Sequence, residues 1–288
     1  GFGGGSRKRR RRAFGIGGRV VKRILITGSN SYIGTSFEKY VAQWPEKYET
    51  DTVDMIDGSW REKSFAGYDA VFHVAGIAHR KETKENAHLY YEVNRDLAIE
   101  TAQKAKQDGV HQFIFLSSMS VYGKNTGVIT QETSVAPKSN YGRSKAEAEK
   151  GIEGLQDADF NVAVLRPPMI YGKGCKGNYQ TLVKFALKLP FFPYVKNERS
   201  MLYIENLCEF VRLLVESGDG GTFCPQNAEY TNTSEMVKLI AEAHGKKIRL
   251  IKGFGWLIKF FGIFSPTIQK AFGSLIYDKT NRNIIPYS

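Results

Sequence analysis

Cysteine is scarce in this chain of 288 residues: Cys175, Cys208 and Cys224 stand far apart, with no Cys-x-x-Cys pair. That excludes a disulfide framework and a zinc ribbon, and it fits a protein of the reducing cytoplasm. Long apolar runs are missing too. No stretch of about 18 uncharged apolar residues occurs, which excludes a spanning helix. The five histidines (His73, His79, His88, His111 and His244) show neither His-Glu-x-x-His nor paired ligand spacing, so no metal is expected. His73, inside an apolar run, reads as a structural residue. Acid is absent from residues 1–23, which carry nine of the twelve net positive charges and leave three for the rest of the chain. What is present is ordinary globular material, 42% apolar and 24% charged, enough to build a core.

The glycine and arginine runs of residues 1–21 cannot bury a core and read as a disordered tail. Its basic block would suit nucleic acid or an anionic membrane. A first residue of Gly in place of Met favours an artificial leader, and no specific nucleic acid is expected as partner. Order begins at Arg23-Ile24-Leu25-Ile26-Thr27-Gly28. Strand-like runs at Ile24–Thr27, Thr52–Asp54, Ala70–Ala75, Gln112–Ser117 and Asn161–Arg166 alternate with helical periodicity at Gly34–Trp44, Thr83–Gln107 and Tyr141–Leu155. Strands this uniformly apolar, alternating with helices, predict an α/β fold with a doubly wound parallel sheet covered on both faces. After Gly172 the pattern changes to glycine, proline and aromatics, with helices expected at Tyr179–Lys188, Ile204–Glu216 and Ser234–Ala243. This predicts a smaller C-terminal lobe over the edge of the sheet where such folds bind ligands.

Two constellations carry chemistry. Thr27-Gly28-Ser29-Asn30-Ser31-Tyr32-Ile33-Gly34 follows a strand and opens a helix, so its backbone amides are placed to face a pyrophosphate. Asp54, at the end of the next strand, would accept hydrogen bonds from an adenosine ribose and repel a 2′-phosphate, which favours NAD over NADP. Asp57 is a second candidate, for the adenine edge. Tyr141 and Lys145 lie one turn apart on one helix face, where an ammonium beneath the phenol would favour phenolate. Ser118, after the strand Gln112–Ser117, could share the reacting proton with Tyr141.

With these pieces the chain resembles the extended short-chain dehydrogenase/reductase family, in its NAD-dependent nucleotide-sugar epimerase/dehydratase (UDP-glucose 4-epimerase-like) branch. The matching motifs stand in family order: Thr27–Gly34, His73-Val74-Ala75-Gly76, Val93-Asn94, Ser117-Ser118-x-Ser120-Val121-Tyr122-Gly123, Tyr141-x-x-x-Lys145 and Arg166-Pro167-Pro168-x-Ile170-Tyr171-Gly172. The resemblance implies a Rossmann-type NAD-binding domain at 22–172 and a mainly substrate-binding lobe at 173–288, with the helix near 204–216 packing back on the first. It implies Tyr141 as base and Lys145 as the group that lowers its pKa and holds ribose hydroxyls. Ser118 would orient the sugar, and Asn94 would support the network. Gly28, Asn30, Ser31, Tyr32, Ile33, Gly34, Asp54, Asp57, Ala75, Gly76, Asn94, Ser117, Tyr141, Lys145 and Pro168 would form the cofactor side. Ser118, Ser120, Asn178 and Arg199 would contact the substrate.

Ser31 replaces the usual middle glycine of the loop. Met119 and Ser120 replace the acidic pair of the sugar-nucleotide 4,6-dehydratases, which argues against dehydration. The activity implied is epimerisation of a nucleotide-diphosphate sugar (a UDP-hexose or UDP-N-acetylhexosamine) by transient oxidation at C4. Its alternative is an NAD(P)H-dependent 4-ketoreductase or dehydrogenase using the same residues, and a remoter one is a dinucleotide-sensing regulator without chemistry. A homodimer is the family expectation. The aromatic stretch 253–264 reads as a lid or core element, or else as an interfacial helix giving weak membrane-surface contact for a lipid-linked sugar.

Overall fold

The computed structural model describes residues 21–78, 82–175, 177–253, 272–279 and 286–287. The basic tail and nearly all of 253–264 lie outside these residues. Among them, no helix is long and apolar enough to cross a membrane.

Six parallel strands form the main sheet, in the spatial order Gly221–Phe223, Asn161–Leu165, Gln112–Leu116, Ala70–His73, Lys22–Thr27 and Tyr48–Val53. The chain runs from the first strand outward to Tyr48–Val53, then crosses back to lay Ala70–His73 on the other side. Strand order therefore reverses between Lys22–Thr27 and Ala70–His73, the crevice where doubly wound sheets bind ligands. Register aligns the carboxyl ends there, with Thr27 opposite both Val53 and His73, and His73 opposite Phe115.

Alternate strand residues face opposite sides, so the continuous apolar runs feed two cores. Ile24, Ile26, Phe72, Ile114 and Leu165 pack under helices Tyr32–Val41 and Ile204–Ser217. Leu25, Val71, Phe113, Phe115 and Val164 pack under helices Leu97–Gln107 and Asn140–Glu153. Residues after 173 thus contribute both a covering helix and the sixth strand to the large sheet. They also build a separate core, in which helices Asn178–Lys188 and Thr233–Ala243 close over the paired strands Phe191–Pro193 and Arg249–Ile251.

Beyond shifts of one to three residues at element ends, three departures from the sequence pattern bear on the main sheet and its helices. Tyr48–Val53 begins four residues earlier than its apolar end indicates, because Glu49 to Thr52 are polar and only Tyr48 and Val53 are buried on this edge strand. Gly221–Phe223 is too short for its pattern to register. The single helix expected at Thr83–Gln107 is instead an α-helix at Ala87–Tyr91, a π-turn at Glu92–Asp96 and an α-helix at Leu97–Gln107.

Candidate active site

The glycine loop leaves the first strand through Gly28, at φ +86°, where a Cβ would stand 3.1 Å from the Ala75 backbone. Its amide donates to the Val53 carbonyl at 2.9 Å, tying the loop to the neighbouring strand. Gly34 is equally confined, since a Cβ there would lie 2.6 Å from Ser31 Oγ and 3.0 Å from Ile26. Ser31 caps the helix Tyr32–Val41, its hydroxyl accepting from the Gly34 amide at 3.2 Å. The residue that departs from the glycine pattern is thus turned inward as a cap. Asn30, at φ 60°, is the one non-glycine residue with positive φ among the described residues. Tyr32 packs its ring into the core beside Gly172, and burial raises its phenol pKa.

Asp54 is exposed immediately past Val53, one carboxylate oxygen accepting from the Ile56 amide at 2.9 Å. Asp57 turns its carboxylate to the amide and hydroxyl of Ser59, which pull its pKa down. At the third strand, Ala75 is buried under Gly28, whereas Gly76 is exposed. A Cβ on Gly76 would meet Asn94 Oδ1 at 2.8 Å and Lys145 Nζ at 3.4 Å. Asn94 sits in the π-turn and is fully buried, exchanging two hydrogen bonds with the Ile77 backbone. Single π-turns recur at functional sites because they re-aim one side chain. A cradle of glycines, a helix amino terminus and an exposed carboxylate at the second strand's end fit a dinucleotide whose adenosine ribose carries no 2′-phosphate.

Beyond the fourth strand, Ser118 caps a short 3-10 turn, accepting from the Ser120 amide at 3.1 Å, and its Oγ lies 3.1 Å from Ser120 Oγ. The Ser118 hydroxyl also acts on the Tyr141 phenol, lowering its pKa. Burial acts more strongly in the other direction, and Tyr90 adds to it, so Tyr141 stands above the ordinary tyrosine value. Lys145 is 5% exposed and donates from Nζ to the Leu116 carbonyl at 2.8 Å, lying 4.6 Å over the Phe115 ring. Burial pushes its pKa down to about 8, against the opposing pull of Glu149. One-turn spacing led us to expect the ammonium to depress the Tyr141 pKa. In the structure burial dominates the phenol instead, and the ammonium is drawn toward the sheet end next to Gly76. Pro168 is buried beside the Ser118 turn, with the preceding Pro167 carbonyl accepting from the Met119 amide at 2.9 Å.

Ser117, expected on the cofactor side, is buried and its hydroxyl donates to Glu149. His73 is wholly buried, paired through Nδ1 with Thr27 Oγ1 at 3.0 Å, and burial lowers its pKa to about 3. Among the described residues no cluster of three metal-ligating side chains exists. Arg199 is half-buried with its Nη1 donating to the Gly273 carbonyl at 2.8 Å; burial lowers its pKa, and among the described residues it forms no ion pair. Asn178 begins its helix, and its side chain lies outside the described residues.

Two acids escaped the sequence reading. Glu82 accepts from the backbone amides of Asn140 and Tyr141 at 3.0 and 3.1 Å, neutralising the amino end of the helix that carries Tyr141. No local pattern announces it. Glu149 was visible as the residue four beyond Lys145 on the same face, but a Glu in a helix ordinarily reads as solvated.

A profile of the NAD dependent epimerase/dehydratase family matches residues 16–223. The UDP-glucose 4-epimerase of Vibrio cholerae is 30% identical over 270 residues, covering 85% of this chain and 82% of that protein. The N-acetyl-alpha-D-glucosaminyl-diphospho-ditrans,octacis-undecaprenol 4-epimerase of Escherichia coli O157:H7 is 26% identical over 246 residues, covering 78% and 73%. The crystal structure of a UDP-glucuronic acid 4-epimerase from Bacillus cereus in complex with NAD has the same fold, with a TM-score of 0.71 at 16% identity over 92% of this chain and 94% of that one. The profile spans most of the chain and the site motifs lie at the sheet end it describes: this protein belongs to the NAD-dependent epimerase/dehydratase family, within the extended short-chain dehydrogenases/reductases.

Proposed function

We propose that the protein is an NAD-dependent 4-epimerase of a UDP-sugar, a UDP-hexose or UDP-N-acetylhexosamine. The observation that carries this reading is the grouping of three residues at the carboxyl end of the sheet: Ser118 acting on the Tyr141 phenol, and Lys145 one turn along the same helix beside Gly76. NAD, when bound, supplies a reversible hydride acceptor for C4 of the sugar.

Tyr141 takes the C4 hydroxyl proton and later returns it. To take that proton Tyr141 must be the phenolate, a form that burial disfavours and the Ser118 hydroxyl favours. Ser118 and Ser120 orient the same hydroxyl. Lys145 contributes a cation beside Gly76, where the cofactor's ribose would lie, and Asn94 fixes that backbone. Arg199, desolvated and bonded through Nη1 to the Gly273 carbonyl, suits a diphosphate better than an ordinary surface charge would; Asn178 is assigned to the same ligand from its motif position. No carboxylate accompanies Ser118 in its turn, which supports return of the hydride over loss of water. The 4-epimerase relatives, matched over most of their length, support the same choice.

In this reading residues 22–172 hold the dinucleotide, residues 173–288 mainly the sugar nucleotide, and the protein works as a homodimer. NMR of the full-length protein mixed with UDP-glucose or UDP-N-acetylglucosamine and catalytic NAD tests it. The C4 epimer should appear in either mixture, and absence of both epimers while NADH or NADPH is consumed on a 4-keto sugar would identify the ketoreductase instead. Asp54 provides a second check. Replacing Asp54 by Ala should narrow the preference for NAD over NADP, measured as the ratio of their dissociation constants; an unchanged ratio would mean that another group reads the ribose.

A further inference from the structure

Helix Asn178–Lys188 buries Leu182 and Ala186 in the core of the small lobe and leaves Lys184, Phe185 and Lys188 exposed along its outer stripe. Leu189, one turn beyond Phe185, ends the helix, and Phe191 opens the strand Phe191–Pro193. Phe185, Leu189 and Phe191 are 36%, 40% and 56% exposed, three of the eight large apolar side chains left at the surface among the described residues. A scattered exposed leucine needs no explanation, whereas three on one helix end and the strand it feeds form a patch.

Cations border that patch. Strand Arg249–Ile251 runs parallel to Phe191–Pro193 with Arg249 opposite Phe191, so these two exposed side chains stand together on the same face of the pair. The Arg249 amide donates to the Pro190 carbonyl at 3.2 Å, and Lys246 donates from Nζ to the Leu187 carbonyl at 2.5 Å, which ties the approach to this strand to the helix end. The two segments that meet here, 177–196 and 243–253, hold seven lysines and arginines and no aspartate or glutamate. The ion pairs of the described residues include none of the seven. The flanking acids are Glu198 and Glu242, the latter 3.7 Å from Lys238.

We propose that this face of the small lobe is a docking surface for an anionic lipid bilayer. Phe185, Leu189 and Phe191 enter the headgroup boundary, and Lys184, Lys188 and Arg249 meet the lipid phosphates. The pairing of two chemistries selects the occupant. Cations without an acid among them match a surface of one negative sign. Exposed phenylalanine and leucine gain from an apolar phase beneath that charge, which a nucleic-acid backbone does not offer. The proposal is independent of the reading of Tyr141 and Lys145, because none of these side chains has a part in that chemistry.

The test is co-sedimentation of the full-length protein with vesicles of phosphatidylcholine alone and of an equal mixture with phosphatidylglycerol. The parent protein should bind the mixed vesicles and leave the neutral ones in suspension. Phe185→Ser/Phe191→Ser should weaken partition into the mixed vesicles about tenfold or more, through lost apolar burial. Lys188→Glu/Arg249→Glu should weaken it by at least as much, since each cation near such a surface is worth about fivefold. Both pairs replace exposed side chains, so turnover in vesicle-free solution should match the parent, which also reports that they fold. Should one pair not fold, the other decides. The basic tail is common to all these proteins, so any binding it adds is shared. Unchanged partition in a folded variant would assign vesicle binding to another part of the chain and overturn the proposal. Equal binding to neutral vesicles would overturn it too, as would self-association or capture of single-stranded nucleic acid through this face in place of vesicle binding.

Discussion

Tyr141→Phe should lower kcat by about 10²–10⁴-fold, the span that a positioned acid–base group contributes, while NAD binding stays within a few-fold of the parent protein. The substitution removes one oxygen and nothing else. The ring remains edge-on to Tyr90, 6.4 Å between centroids, and the helix keeps its Ser139 cap and its bonds to Glu82. Ser118 keeps its contacts to Ser120. Fold and cofactor cradle are therefore left intact and only the proton path is cut. Steady-state turnover and calorimetric NAD binding measured together separate the two effects. Near-normal turnover would remove Tyr141 from the chemistry, and loss of NAD binding would make it a cofactor residue first.

The second large effect is on stability. Arg166→Met leaves the Glu149 carboxylate buried with, among the described residues, only the Ser117 hydroxyl for a close partner. Breaking a buried pair by removing one member costs about 3–5 kcal/mol, because the surviving charge must be solvated by something that is no longer there. Denaturant unfolding should show that loss, and the double variant Glu149→Gln/Arg166→Met should recover much of it, since it buries no uncompensated charge. A cost below about 1 kcal/mol, the level of an exposed pair, would mean that water reaches this carboxylate. Arg166 and Glu149 side chains are 14% and 3% exposed, which argues against water.

Most of the cofactor end of this site was legible in the sequence, for a physical reason. A tight turn out of a strand, close backbone approach and a helix start each demand particular residues at fixed spacing, so Gly28 and Gly34 announce themselves locally. Tyr141 and Lys145 were legible as neighbours on one helix face, because helix periodicity alone decides that. Where the Lys145 ammonium goes was not legible. Its pull toward the Leu116 carbonyl, and the burial that outweighs every other influence on Tyr141, are set by strands distant in sequence. The same holds for Glu82 and Glu149, charged residues whose partners come from other elements. The π-turn at Glu92–Asp96 escaped because a locally widened turn leaves the apolar pattern on either side almost unchanged, yet it lies where Asn94 is delivered to the Ile77 backbone. The sixth strand, three residues long, was hidden by its brevity.

The central claim is that hydride leaves and returns at one sugar carbon within one site. A UDP-sugar carrying deuterium at C4, turned over by the purified protein and read by NMR and mass spectrometry, tests it most directly. The account expects the C4 epimer to retain the deuterium at C4, with no net consumption of NAD. Loss of the label to solvent, or an epimer formed only as dinucleotide is consumed in proportion, would contradict it.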